Sequence, residues 1–202
     1  NHNYVHWSGY GWNCYLGEPE LQIWKGELMS EVTAPANAPE EVVTKALLRE
    51  VDLSPFGYSG KLALITLDNG MDHTRPNTLG PKSLAEIDAA LTTAESSDAA
   101  AIAITGKPFI FAAGADLSGL PFVTDIKQAL AIGKFGHDLF KRLGRGKKPT
   151  FAFINGLALG GGLEIGLHCN YRTLATTALD VLPSFEVVID TLADATDPVG
   201  LF

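Results

Sequence analysis

Short apolar runs alternating with helical segments constrain this chain more than any other feature. KLALITL (61–67), AAIAITG (100–106) and PTFAFING (149–156) are β-type runs, and YRTLAT (171–176) is a shorter fourth. GPKSLAEIDAALTTA (80–94) sets Leu84, Ile87 and Leu91 at helical spacing. TDIKQALAIGKFGHDLFKRLG (124–144) predicts a long helix, with Thr124 or Asp125 as N-cap and basic residues in its last turn. GGLEIGLHC (161–169) predicts a short helix. Strands separated by helices imply an α/β fold or a repeated β-β-α fold with parallel strands. No repeat of fixed period is evident in the sequence.

Both ends differ from this middle. Trp7, Trp12 and Trp24 all fall in an opening stretch that has neither strand nor helix period. Met29 is followed by SEVTAPANAPEE, which reads as an ordinary polar N-terminus. The expected division is therefore a segment 1–28 outside the functional domain, a polar lead-in 29–59, a core 60–177 and a divergent acidic tail 178–202. No Lys or Arg follows Arg172, and the acidic tail stops abruptly, so a fragment is expected.

Charge and cysteine content exclude several function classes. A net charge of -8 without a clustered basic face argues against a nucleic-acid surface. Cys14 and Cys169 make no disulfide framework, which suits a reducing cytosol, and a cytoplasmic location is expected. No apolar run approaches the roughly 20 residues that span a bilayer. No basic segment followed by an apolar core marks a signal peptide in residues 1–28.

GLALGGGLEIG (156–166) carries the chemistry. Three consecutive glycines, Gly160 to Gly162, stand between an apolar strand and a short helix that holds Glu164. Glycine costs entropy inside any regular element, so such a run implies that backbone approaches something closely. Amide N–H groups at a helix N-terminus lack intrahelical partners and carry the positive end of the helix dipole. That arrangement can serve as an oxyanion hole, where one donor is worth roughly 10²–10³ in rate. A dinucleotide loop is disfavoured by the spacing and by the lack of an acidic residue on a following strand. A tight turn whose glycines only admit close helix packing stays open. KPFIFAAGADLSGL (107–120) follows another buried strand, and it places Gly114 and the Ala115 N–H ahead of Asp116.

Taken together, FIFAAGADL, PTFAFINGLALGGGLEIGLHCNYR and RPNTLGPKSLAEIDAAL (75–91) resemble the enoyl-CoA hydratase (crotonase) superfamily. The nearest resemblance is to the hydratase part of bacterial fatty-acid oxidation proteins. The fold it implies is an α/β, crotonase-like repeated β-β-α spiral, C-terminally incomplete. The resemblance implies that the N–H groups of Ala115 and Gly161 bind the carbonyl oxygen of an acyl-CoA thioester. The Ala113 carbonyl would meet the CoA adenine, Asp116 would brace its loop, and Gly114, Gly160 and Gly162 would line the substrate. Glu164 falls on the first of two catalytic glutamates. The second is expected in a Pro-Glu segment before a Pro-Gly turn, but here Pro183 precedes Ser184 and the nearby carboxylate is Glu186.

The activity implied is hydration of a trans-2-enoyl-CoA in fatty-acid β-oxidation. Enoyl-CoA isomerisation and a catalytically incomplete acyl-CoA-binding fragment are the alternatives. No cofactor is expected in this segment, NAD entering only if a dehydrogenase domain follows in a longer product. A trimer-based homo-oligomer is the assembly implied for a complete protein.

No metal ligand set is read from the sequence, because His137 and His168 have no partner at metal-ligand spacing. Packing or surface roles are expected for both, and a buried small thiol for Cys169. KRLGRGKK (141–148) is either a solvated helix end or a site of attraction for CoA phosphates.

Overall fold

A computed structural model describes residues 39–118 and 126–175. Five strands form one sheet in the order β1 (Lys45–Asp52), β2 (Lys61–Asp68), β3 (Ala101–Gly106), β5 (Thr150–Ile154), β7 (Tyr171–Leu174). β1 runs antiparallel to β2, and every other neighbouring pair is parallel. The helices are α1 (Pro81–Ser96), α2 (Ile126–Arg145) and α3 (Gly161–His168). The α/β class expected from the alternation is therefore present, and two β-β-α units follow one another: β3, β4 (Phe109–Ala112), α2 and then β5, β6 (Gly156–Ala158), α3.

All three helices supply the core on one face of the sheet. Period-two geometry turns Ala63, Ile65 and Leu67 of β2, Ile102 and Ile104 of β3, and Ala152 and Ile154 of β5 toward that face. Leu84, Ile87 and Leu91 of α1 meet them, with Leu139, Phe140 and Leu143 of α2 and Ile165 of α3. Burying each of the larger aliphatic side chains contributes about 1.5–3 kcal/mol. Arg142 fixes α2 to α1, because its guanidinium pairs with both Asp88 and Glu95 and donates to Thr92 Oγ1 at 3.0 Å.

The structure departs from the sequence reading in three places. The lead-in contains strand β1, whose eight residues all pair with β2. The apolar run 149–156 is divided at Asn155 into β5 and β6 (Gly156–Ala158). The run after β3 contains a further strand, β4 (Phe109–Ala112), which pairs with β6 in a separate two-stranded parallel sheet. The proposed caps Thr124 and Asp125 lie outside the described residues.

This small sheet positions the glycine loops. Asn155 joins its two entry corners, accepting the Gly106 N–H at 3.0 Å and donating to the carbonyls of Gly106 and Lys107. No side chain fits at Gly106 or Gly156, where a Cβ would stand 2.0 Å from the carbonyl oxygens of Ile110 and Phe109 respectively. β4 and β6 thus leave the sheet side by side and in the same direction.

Candidate functional site

The ladder between β4 and β6 ends with the Leu159 N–H donating to Ala112 O at 3.0 Å. Beyond it the two loops stay in contact. Gly114 adopts φ 85°, and a Cβ on it would stand 2.9 Å from the Gly161 nitrogen. Gly160 adopts φ 48° and ψ -124°, a conformation open mainly to glycine. Gly162 lies against β4, since a Cβ there would meet Ala112 O at 2.0 Å. Close packing therefore explains Gly114 and Gly162, and the positive φ explains Gly160.

Gly161 is different. A Cβ on it would make only ordinary contacts, the nearest at 3.4 Å to Leu79 Cδ1. Its N–H, at the first position of α3, has no partner among the described residues. Nor does the Ala115 N–H. Leu79 bonds to Gly114 O at 2.7 Å and to the Asp116 N–H at 3.2 Å, a parallel bridge that turns the Ala115 amide away from it. Two donors without a partner among the described residues thus stand on loops joined at Gly114, and α3 adds the positive end of its dipole.

Glu164 is one turn into α3. Its Oε1 lies 2.9 Å from His137 Nδ1 on α2, and both side chains remain accessible, at 38% and 46% exposure. Four residues along α3, His168 Nδ1 lies 2.9 Å from the Glu164 carbonyl oxygen. A carbonyl only accepts, so this ring nitrogen carries a proton and donates. The two imidazoles meet edge to face with centroids 5.6 Å apart. The fold thus brings His137 to Glu164, 27 residues away in sequence, and to His168, which stands four residues further along α3.

The remaining sequence candidates divide as follows. Asp116 Oδ1 accepts the Ser118 N–H at 2.9 Å and so closes its own loop. The Ala113 N–H donates to Asn77 O, and its carbonyl has no partner among the described residues. Glu186 lies outside the described residues. Within 141–148, Arg142 is committed to Asp88 and Glu95, while Lys148 donates to the carbonyls of Ala94 and Ser97. Only Arg145 and Lys147 remain exposed there for an anionic ligand. Cys169 is the buried thiol expected, pushed up to about 12 by burial.

Sequence reading missed Asn77, which is fully buried. Its amide donates to Leu67 O at 2.8 Å and Phe111 O at 3.1 Å, and its Oδ1 accepts the Asn69 N–H. It fixes the loop before α1 against the end of β4, one residue before the Ala113 turn begins. A polar residue in a polar stretch offered no signal of such burial.

The sequence pattern described as enoyl-CoA hydratase/isomerase matches residues 58–189, well over half of the chain. The chain belongs to the enoyl-CoA hydratase/isomerase family. A short-chain-enoyl-CoA hydratase from Clostridium acetobutylicum is 35% identical over 126 residues, 59% of this chain and 45% of that protein. The fatty acid oxidation complex subunit alpha of Shewanella amazonensis is 35% identical over 133 residues, 65% of this chain and 19% of its own length. The crystal structure of enoyl-CoA hydratase from Thermoplasma volcanium superposes with a TM-score of 0.54 at 25% identity, covering 64% of this chain and 48% of that one. The chain therefore spans about half the length of these hydratases, and less of the longer subunit. The span matched to the enoyl-CoA hydratase/isomerase family contains both Glu164 and Glu186. Among the described residues, no helix is long and apolar enough to cross a membrane.

Proposed function

We propose that this chain adds water to trans-2-enoyl-CoA thioesters, as an enoyl-CoA hydratase. The observation that carries this reading is the pair of N–H groups on Ala115 and Gly161, which have no partner among the described residues, with Glu164 one turn further along α3. The thioester oxygen accepts both hydrogen bonds, which draws electron density from the conjugated double bond and leaves its β-carbon electrophilic. Glu164 takes a proton from water as the water oxygen bonds to that carbon. The electron pair of the double bond moves toward the α-carbon as enolate, whose charge the two amides stabilise. Fixed dipoles aimed at a charge that grows in the transition state lower the barrier most. A proton delivered to the α-carbon completes the 3-hydroxyacyl-CoA, and Glu186 is its proposed donor.

The Ala113 carbonyl is assigned to the adenine of CoA, and Asp116 to holding the loop on which both groups depend. Gly114, Gly160 and Gly162 let backbone line the thioester. A cytoplasmic location and, for a complete protein, a trimer-based assembly finish the proposal; sedimentation of a longer product carrying the C-terminal helices tests the assembly.

The test of activity is loss of the conjugated thioester absorbance of crotonyl-CoA, with wild type compared against Glu164→Gln. A general base contributes about 10²–10⁴ in rate, so the variant should fall by that factor while still binding acyl-CoA. Equal rates in the two proteins would overturn the assignment.

A further inference from the structure

We propose that His137, Glu164 and His168 form a binding site for a divalent transition-metal ion of the zinc class, and that metal there silences Glu164. One nitrogen of each imidazole and one carboxylate oxygen lie within 4.8 Å of one another. The three side chains come from two packed helices, with Glu164 and His168 four residues apart on one face of α3. Two imidazoles and one carboxylate, with open positions toward solvent, make the donor set of a three-ligand zinc site. Around a tetrahedral zinc, ligand atoms stand about 3.4 Å apart, given bond lengths near 2.1 Å. Metal binding would draw the present spacing in to that value, and His137 and Glu164 are the accessible side chains that would move.

Hydrogen bonding at the site favours metal over a mere ion pair. His168 donates Nδ1–H to the Glu164 carbonyl, which leaves Nε2 as the ring nitrogen that can offer a lone pair to a metal. Donation of the second ring N–H to a backbone carbonyl is how metal-ligating histidines are usually held. Between His137 Nδ1 and Glu164 Oε1, 2.9 Å apart, a metal ion would take the place of the shared proton. Neutral His137 then carries its proton on Nε2, and no other group need change. Hard cations such as Mg²⁺ and Ca²⁺ prefer all-oxygen ligands and do not suit the site.

The inhibitory part rests on the proposed hydratase role, because a carboxylate bound to metal cannot take a proton from water. The binding part stands apart from it. Calorimetric titration of the whole chain with Zn²⁺ should show one saturable equivalent that Mg²⁺ does not mimic. His137→Gln and His168→Gln should each weaken it by at least about tenfold, and Co²⁺ should give a tetrahedral absorption spectrum in the wild type alone. Zinc binding unchanged in both variants would come from elsewhere, for example His2, His6 and Cys14, and would overturn the site. No saturable binding in the wild type would also overturn it. His137 is exposed, so His137→Gln and the wild-type Co²⁺ spectrum decide the matter even where His168→Gln fails to fold. If zinc binds as expected but the metal-free chain does not hydrate crotonyl-CoA, the metal site is supported and the hydratase reading fails.

Discussion

The carbonyl oxygen of Ala112 occupies the space where a side chain on Gly162 would begin, 2.0 Å from the ideal Cβ position. Both groups are backbone, one ending β4 and the other opening α3, so neither can swing aside. Gly162→Ala must therefore separate the helix from the strand. We expect a loss of at least about 3 kcal/mol in urea unfolding, beyond the 1–3 kcal/mol typical of overpacking by flexible side chains. Gly161→Ala, one residue earlier, should unfold within about 1 kcal/mol of wild type, because its Cβ meets nothing closer than 3.4 Å. Equal destabilisation by the two substitutions would contradict this division of labour among the glycines.

Gly161 also allows the donor itself to be removed. As the first residue of α3, it occupies the position where proline is best tolerated, since the amide there has no intrahelical acceptor. Gly161→Pro deletes the N–H while leaving Ala115 and Glu164 in place. On the proposed function, kcat for crotonyl-CoA hydration should fall by about 10²–10³ with the helix retained in circular dichroism. A folded variant with undiminished kcat would show that this amide does not meet the thioester oxygen.

The sequence disclosed the parts of the fold that local pattern determines. Leu84, Ile87 and Leu91 lie on the buried face of α1 because helical spacing requires it, and the runs at 61–67 and 100–106 are central parallel strands. The glycine loops were legible because closely packed backbone demands glycine in sequence. What escaped were relations made only by tertiary contact. β1 alternates weakly, since it is an edge strand whose Leu47 is exposed, and the lead-in therefore read as merely polar. Asn155 breaks an apolar run by substituting its amide for a strand's hydrogen bonds, which periodicity cannot register. His137 meets Glu164 across 27 residues of sequence, and only the packing of α2 on α3 brings them together.

Glu41 makes a further relation through tertiary contact alone, 41 residues from Lys82 at the helix end that it caps. Pro81 opens α1 behind Gly80, whose lack of a side chain leaves the first turn without a local cap. Glu41 fills that role from the lead-in: Oε2 accepts the Lys82 N–H at 2.9 Å, and Oε1 accepts the Ser83 N–H at 2.9 Å and hydroxyl at 2.7 Å. A carboxylate there satisfies free donors and complements the helix dipole. Glu41→Ala should cost about 1–2 kcal/mol in urea unfolding, and Glu41→Gln, which keeps an acceptor, should cost less. No loss in the alanine variant would show that the cap contributes nothing to stability.

Cys169 should make stability fall in alkaline solution. Burial raises its thiol from 9.0 to about 12, opposed only in part by Thr150 and the Arg172 charge. Above pH 9 the unfolded chain loses this proton while the native chain keeps it. The native state then binds more protons, so unfolding becomes easier as pH rises, by up to about 1.4 kcal/mol per unit between the two values. Below pH 9 both states hold the proton and the contribution is constant. Urea unfolding at pH 8, 9 and 10 should therefore show wild type losing stability faster than Cys169→Ala, in which the limb due to this thiol is gone. Both proteins retain Cys14, the lysines and the tyrosines, so the difference between their slopes reports Cys169 alone. Parallel slopes would mean that the native thiol ionises as readily as the unfolded one, against its burial beneath α3.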